Sequence, residues 1–138
     1  MAAITVEASQ DETREAVLRG LTAHNQARVG PRNPRAVAIS LRDDTGTIVG
    51  GLVGELKWEW LYVDLLWIDE AHRGAGHGEA LLALAEQEAR EYGAKGVFLG
   101  TMSIQAPDFY PRMGYREYGR MADYPVAGHT LHHFTKAL

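Results

Sequence analysis

Three glycines at alternate positions lie in one short stretch, Arg73-Gly74-Ala75-Gly76-His77-Gly78. Because glycines have no side chain, a ligand can come close to the main-chain N–H groups of such a stretch. An apolar run at residues 65–68 precedes it, and apolar residues at helical spacing follow it. The first N–H groups of a helix lack partners and carry the positive end of its dipole. The pattern therefore predicts an anion site, most simply for a phosphate or pyrophosphate.

Two common phosphate-binding loops do not fit this stretch. A P-loop ends in Gly-Lys followed by Ser or Thr, whereas this turn ends in Gly78-Glu79-Ala80. A dinucleotide-binding fingerprint spaces its third glycine differently and has an acidic residue about 20 positions further on. The next predicted strand ends in Leu99-Gly100-Thr101, without an acid. A turn whose glycines serve packing alone is the remaining alternative, and the position between a strand and a helix favours the anion site.

Hydrophobic periodicity predicts the elements that position this turn. The helix that opens at the turn has an apolar stripe that includes Leu81, Leu82 and Ala85, with Glu86 and Glu88 facing water. A strand-turn-helix-strand order predicts a right-handed crossover and one parallel strand pair. We expect a single α/β domain over residues 1–138, with a mixed, mostly antiparallel sheet, one parallel βαβ unit and flanking helices. The predicted strands are 3–8, 35–42, 47–56, 57–68, 96–101, 115–121 and 131–136, and the predicted helices are 11–28, 76–92 and 106–113.

Composition excludes several functions. The chain has 138 residues, a formal net charge of -4 and no cysteine, so a thiolate nucleophile and a disulfide framework are excluded. Lys and Arg never occur in runs, which argues against a nucleic-acid surface. His129, His132 and His133 would lie on both faces of a strand with no acid to complete a site, so no metal site is predicted. No apolar run is long enough for a membrane span and no signal peptide is apparent, so we expect a cytoplasmic protein without membrane partners.

Two segments resemble one enzyme family. Residues 68–82, with the glycine turn, are similar to the acetyl-CoA signature of the GNAT superfamily of N-acetyltransferases, Gln/Arg-x-x-Gly-x-Gly/Ala after a central strand. Phe109-Tyr110-Pro111-Arg112-Met113-Gly114-Tyr115 is similar to the Phe-Tyr-x-x-x-Gly-Phe segment of that family. Length and element order fit over almost the whole chain. The resemblance implies a small bacterial-type member with the GNAT fold, in which an amine attacks the thioester of acetyl-CoA directly.

The resemblance also implies which residues hold acetyl-CoA. Backbone N–H groups of Arg73, Gly74, Ala75, Gly76, His77 and Gly78 would bind the pyrophosphate, and Arg73 would add charge or brace the loop. The strand end at Leu66, Trp67 and Ile68 would pair with the pantetheine amides where the sheet splays open, and an N–H near Ile68 would polarise the thioester carbonyl. Ser103 stands where relatives often have an Asn that bonds the cofactor, with Gln105 as a weaker substitute.

Catalysis by proton transfer needs an acid and a base. The resemblance implies that Tyr110 is the acid, because a phenol with a pKa near 10 can protonate the departing thiolate at neutral pH. Many relatives place a basic Glu where this chain has Tyr62. Asp64 is the preferred base, because burial in an apolar stretch would make its carboxylate a stronger base. Glu55, Glu59 and a water chain without a dedicated base are the alternatives.

The expected reaction is acetyl transfer from acetyl-CoA to a primary amine. The strand residues Trp60 and Trp67 and the absence of an acidic groove for a basic peptide favour a small-molecule acceptor. A non-catalytic acyl-CoA-binding or sensor module is the main alternative, and a tRNA-acetylating toxin would need a basic surface that the composition lacks. Relatives of this family are often dimers, so a homodimer is compatible with the resemblance.

Overall fold

The computed structural model describes residues 1–138, which form two compact units, residues 1–32 and 33–138. The first unit contains one helix, and the second contains a six-stranded sheet, two α-helices and a short 3-10 helix. In chain order the elements are α1 (Asp11–Val29), β1 (Arg35–Arg42), β2 (Ile48–Lys57), β3 (Trp60–Ile68), the 3-10 helix (Glu70–His72), α2 (His77–Tyr92), β4 (Gly96–Met102), α3 (Phe109–Arg112), β5 (Arg116–Ala122) and β6 (Thr130–Ala137). None of the helices has the length and apolarity that crossing a membrane requires.

The first unit is helical where the sequence predicts a helix. Helix α1 has Asp11 and Glu12 in its first turn, where acidic side chains favour the positive end of the dipole. The helix buries none of its residues, and Val17, Leu18 and Leu21 are each about half exposed. The predicted strand at residues 3–8 is wrong, because no strand pairs with this segment. An extended segment becomes a strand only where a neighbour bonds its N–H and C=O groups.

The sheet of the second unit is mixed, as predicted. Its strand order is β1-β2-β3-β4-β6-β5, and β3 with β4 is the parallel pair. All other neighbours are antiparallel. Strand β6 inserts between β4 and β5. The order of the predicted strands along the chain does not reveal this placement.

Helix α2 is the crossover between the parallel strands and packs on strands β1 to β4. Its buried stripe of Leu81, Leu82, Ala85 and Ala89 meets the inward side chains of the sheet. The side chains of Leu52, Leu56, Leu61, Leu82 and Val97 are completely buried. Gly93 ends the helix in the left-handed conformation, with a φ of 95°, a common way for an α-helix to end. The core therefore fixes α2, and with it the glycine turn at its start.

The hairpin between β2 and β3 differs from the prediction. Lys57 pairs with Trp60, so Trp58 and Glu59 form a two-residue turn and the third strand starts at Trp60 rather than at residue 57. Such turns usually contain Gly, Asn or Asp, which tolerate a positive φ. Here Trp58 has a φ of 50°, so the usual sequence signal for the turn is absent.

Candidate active site

Strands β3 and β4 separate halfway along their length. Their pairing runs from Trp60 opposite Gly96 to Val63 opposite Leu99 and stops there. Beyond that point β3 pairs only with β2, as far as Ile68, and β4 pairs only with β6. The edge of β3 at residues 64–68 that faces β4 therefore bonds no strand. This opening, which we call the fork, is the splayed region that the sequence resemblance implied.

A bulge marks the start of the fork. Val63 lies opposite Gly54 and Leu65 lies opposite Val53, so Asp64 is the extra residue in β3. A Cβ on Gly54 would approach the Tyr62 carbonyl oxygen to 2.5 Å, so only glycine fits the close strand approach beside the bulge. Downstream, Leu66 and Ile68 pack against the core, whereas Trp67 is half exposed.

The glycine turn follows β3 at the open end of the fork. Gly74 and Gly76 have φ values of 79° and 81°, and a Cβ on either residue would meet no atom within 4 Å. A Cβ on Gly78 would lie 3.5 Å from Phe109 Cζ and from Ile68 Cδ1, which is ordinary van der Waals contact. Gly74 and Gly76 therefore shape an open backbone surface, and Gly78 lies where α2 meets Phe109 of α3.

Most N–H groups of this turn have no partner in the chain, the exception being that of Arg73, which donates to the Glu70 carbonyl at 3.3 Å. Gly76 precedes α2 without a capping side chain, and the N–H of Ala80 makes the first helical bond, to the Gly76 carbonyl at 3.1 Å. The amides of Gly74, Ala75 and Gly76, and those of the first helical residues starting at His77, are left free for a ligand. Free amides around an open surface at a helix start suit a phosphate or pyrophosphate. The residues present therefore fit the pyrophosphate of acetyl-CoA.

Arg73 joins the turn to the fork. Its Nε donates to the Ile68 carbonyl at 2.9 Å. This bond supports a role for Arg73 in bracing the loop, and it keeps a positive charge beside the turn.

Tyr110 lies on α3, the short helix that contacts the start of α2 through Phe109. Its side chain is buried, stacks on Phe134 at a centroid distance of 5.6 Å and meets Tyr115 edge-on. Burial raises the pKa of Tyr110 to about 12, so the phenol keeps its proton at neutral pH. Its hydroxyl bonds no group of the chain, and no side-chain oxygen is both buried and unpaired. The hydroxyl must therefore reach the surface, where it can donate to a ligand.

Tyr115 has a different environment. Its hydroxyl donates to Glu86 Oε2 at 2.9 Å. Burial, reinforced by the neighbouring Glu86 charge, raises the pKa of Tyr115. Glu86 was predicted to face water, and this is wrong, since it is 4% exposed. Its spacing of four residues from Leu82 and three from Ala89 places it in the apolar stripe, which is the sequence signal that was missed.

Asp64 is exposed at the bulge. The expectation that an apolar stretch would bury it is wrong, because the alternation of β3 places Asp64 on the same exposed face as Trp60 and Tyr62. The competing acids lie elsewhere. Glu59 is in the β2–β3 turn, 3.1 Å from Lys95 Nζ, and Glu55 lies 3.7 Å from Lys57 Nζ. Among these acids, Asp64 is therefore the one at the fork.

Ser103 and Gln105 follow β4 at the same end of the sheet. The Ser103 hydroxyl accepts from the Thr130 N–H at 3.0 Å and lies 3.4 Å from His129 Nδ1. Gln105 Oε1 accepts from Thr101 Oγ1 and from the Met102 N–H. The Ser103 hydroxyl and the Gln105 carbonyl oxygen therefore hold their own loop, whereas the Gln105 amide nitrogen makes no bond within the chain.

The histidines of β6 point in different directions, as the alternation predicted. His132 Nδ1 lies 3.3 Å from Glu117 Oε1, whereas the His133 ring packs on Tyr118 at 5.8 Å. No group of three His, Cys, Asp or Glu side chains in the chain could hold a metal ion.

Comparison with known proteins gives one consistent family. The model of the acetyltransferase (GNAT) family matches residues 4–115. The chain is 49% identical to blasticidin-S acetyltransferase of Streptomyces morookaense over 96 residues, 69% of this chain and 70% of that protein. It is 41% identical to acetyltransferase Atu2258 of Agrobacterium fabrum over 110 residues, 80% of each chain. A crystal structure of an acetyltransferase from Bacillus cereus superposes with a TM-score of 0.89 at 33% identity, covering 98% of both chains.

Proposed function

Because this chain belongs to the acetyltransferase (GNAT) family and is an N-acetyltransferase that uses acetyl-CoA, we propose that its acceptor is a primary amine on a small molecule. The fork beside the open glycine turn is the observation that supports a catalytic site here. The relative that is 49% identical is named for blasticidin S, which makes that compound the first acceptor to test.

We propose that the free amides from Gly74 to Gly78 bind the pyrophosphate of acetyl-CoA, with the positively charged Arg73 side chain beside them. The unpaired edge of β3 at Leu66, Trp67 and Ile68 would bond the pantetheine as an added strand would. When bound, acetyl-CoA supplies the thioester whose acetyl group the amine attacks. Ser103 contributes through its loop rather than by a direct bond, since its hydroxyl already accepts from Thr130.

In this proposal two residues carry out the proton transfers. Tyr110 holds its proton on the hydroxyl and donates it to the leaving thiolate, which its unpaired oxygen and buried ring allow. Asp64 accepts a proton from the amine, directly or through water, because it lies at the start of the fork. Its exposure makes the water-mediated route the better fit.

Thiol release tests the function. Purified protein is incubated with acetyl-CoA and a panel of small primary amines that includes blasticidin S, and free thiol is followed with time. Acetylation of at least one amine, confirmed by the mass of the product, supports the proposal. Tight binding of CoA without turnover on any amine would instead indicate the acyl-CoA-binding module. Turnover only on peptides or tRNA would overturn the small-molecule assignment.

A further inference from the structure

Glu86 is a buried carboxylate that the proposed chemistry does not use. Both of its oxygens are bonded, Oε2 by the Tyr115 hydroxyl at 2.9 Å and Oε1 by Lys136 Nζ at 2.8 Å. Arg90, one turn along α2, is 3.9 Å from Oε1 and is mostly exposed. A buried charge is costly unless it is paired and hydrogen-bonded. The two close partners come from the start of β5 and from β6, so Glu86 fastens α2 to both.

The same partners hold the segment that contains Tyr110. Lys136 Nζ also donates to the Met113 carbonyl at 3.0 Å. The N–H groups of Met113 and Tyr115 both donate to the Tyr110 carbonyl, at 2.9 and 3.0 Å. The Tyr115 ring meets the Tyr110 ring edge-on at 5.8 Å. Glu86 is therefore connected to the Tyr110 backbone by two routes, one through Tyr115 alone and one through Lys136 and Met113.

Helix α2 connects this cluster to the glycine turn. Gly76 precedes the first residue of α2, and Glu86 lies on the same helix ten residues later. Phe109, next to Tyr110, lies against Gly78 in the first turn of that helix. Segment 109–115 is therefore attached to α2 at two points, Gly78 near the turn and Glu86 in the middle of the helix. A rigid helix with two attachments fixes the distance between the turn and Tyr110.

We propose that Glu86 and Lys136 form a positioning pair that holds the Tyr110 hydroxyl in place relative to the glycine turn. The inference rests on the proposed role of Tyr110 as the acid. Neither residue touches a ligand in this scheme, because each acts through Tyr115 or Met113. Stability alone is a weak reason for such a pair, since apolar residues of similar volume often replace buried ion pairs without loss.

The first test compares two Glu to Gln substitutions on one helix. Glu86→Gln keeps the shape of the side chain and removes the charge that Lys136 meets. Glu88→Gln is the matched control, because Glu88 lies on the same helix and pairs with Arg35 in a half-exposed ion pair. Misplacing a reacting group by about 1 Å can cost on the order of 100-fold in rate. We expect kcat to fall at least 10-fold in Glu86→Gln and less than 2-fold in Glu88→Gln, with KM for acetyl-CoA within about 2-fold of wild type in both.

The second test asks whether Glu86 acts through Tyr110. In a Tyr110→Phe background, Glu86→Gln should change kcat less than 2-fold, because the group that it positions is gone. An equal fall of kcat in both backgrounds would mean a general structural role and would overturn the proposal. So would wild-type kcat in Glu86→Gln while Tyr110→Phe is slow. If Tyr110→Phe itself is as fast as wild type, the proposed acid is wrong and the positioning role is rejected with it.

A gentler variant covers the case in which Glu86→Gln does not fold. Tyr115→Phe removes one hydroxyl, keeps the aromatic ring and leaves Glu86 paired with Lys136. It should lower kcat several-fold with unchanged KM for acetyl-CoA, and again only when Tyr110 is present. An effect confined to thermal stability, or one that persists in the Tyr110→Phe background, would overturn the proposal.

Discussion

Tyr110 and Tyr115 are five residues apart, both buried, and differ in what their hydroxyls meet. The Tyr115 hydroxyl is bonded to a buried carboxylate, whereas the Tyr110 hydroxyl has no partner in the chain. A hydroxyl that already donates its proton to a carboxylate cannot serve as a general acid without breaking that bond. At the scale of single residues, hydrogen-bond partners therefore separate a structural tyrosine from a candidate acid.

Tyr110→Phe should lower kcat by about 100-fold or more, because general acid catalysis contributes roughly 10²–10⁴-fold. KM for acetyl-CoA should stay within about 2-fold, since the hydroxyl makes no bond in the ligand-free fold. Steady-state thiol release measures both quantities. Tyr118→Phe is the control, because Tyr118 is half exposed on β5 and packs only on His133. A Tyr110→Phe enzyme with wild-type kcat would remove Tyr110 as the acid.

Asp64→Asn should lower kcat/KM for the amine by about 10-fold or more while acetyl-CoA binding is unchanged, if this carboxylate takes the amine proton. Glu59→Gln and Glu55→Gln are controls, because both acids pair with a lysine and neither lies on the unpaired edge of the fork. Rates of all three variants are compared at pH 7. If Asp64→Asn keeps the wild-type rate, the proton leaves through water without a dedicated base.

At the scale of elements, the glycine turn and the fork are adjacent because only the short 3-10 helix Glu70–His72 separates β3 from the turn. The bulge ends the regular pairing, and the strand edge beyond it is free. Arg73 bonds the last carbonyl of β3, so the turn and the strand end move together. A ligand that spans the fork and the glycine turn could therefore bond unpaired backbone groups in both.

Gly76→Val should abolish CoA binding and leave the fold intact. Its φ of 81° is unfavourable for a side chain, at a cost of about 1–2 kcal/mol in unfolding free energy. Gly93→Val is the matched control, because Gly93 caps the other end of α2 with a φ of 95° and equally open space. Both variants should lose similar stability in urea unfolding, and only Gly76→Val should lose CoA in calorimetry. Equal CoA affinities would contradict the pyrophosphate assignment.

Hydrogen exchange should detect the fork. Amides at residues 64–68 and 74–79 lack complete pairing in the free protein and should exchange more slowly when CoA is added. Strand β5 provides an internal control, because it lies at the far edge of the sheet and should not change. Protection that is absent from residues 64–68 would mean that the pantetheine does not pair with β3.

At the scale of the whole molecule, the buried Tyr110 and Tyr115 make the free energy of unfolding depend on pH in the alkaline range. Their pKa values are raised in the fold, that of Tyr110 to about 12. Above pH 10 the unfolded chain loses these phenolic protons while the folded chain keeps them, so the free energy of unfolding falls as pH rises. The contribution of Tyr110 to the free energy of unfolding is complete below pH 10 and is lost between pH 10 and about 12.

For Tyr110 we expect the free energy of unfolding to fall by about 1.4 kcal/mol for each pH unit between pH 10 and about 12. Urea unfolding of the wild type and of Tyr110→Phe at pH 8, 10 and 11 measures it. The Phe variant should lose less stability than wild type between pH 10 and 11. Parallel pH curves for the two proteins would mean that Tyr110 titrates normally.

The sequence by itself determined the parts that depend on local chemistry. Glycine spacing predicted the turn, the 3.6-residue period predicted α2, and alternation predicted β1 with its correct bounds of residues 35–42. The motif around Tyr110 pointed to its family and to acetyl-CoA. These features are readable because backbone freedom and side-chain periodicity are properties of neighbouring residues.

Only the tertiary structure decided what depends on residues distant in sequence. The bulge at Asp64 depends on the pairing of β3 with Gly54 and Val53 of another strand, and it leaves Leu65 exposed where alternation alone would bury it. Glu86 is buried because Tyr115 and Lys136 supply the two donors that a buried carboxylate needs, 29 and 50 residues away. Within the glycine turn, the space beside Gly74 and Gly76 is open, whereas Gly78 faces Phe109 from a segment about 30 residues further along the chain. Whether a polar group is paired or exposed depends on residues that are distant in sequence, so the local sequence pattern does not predict it.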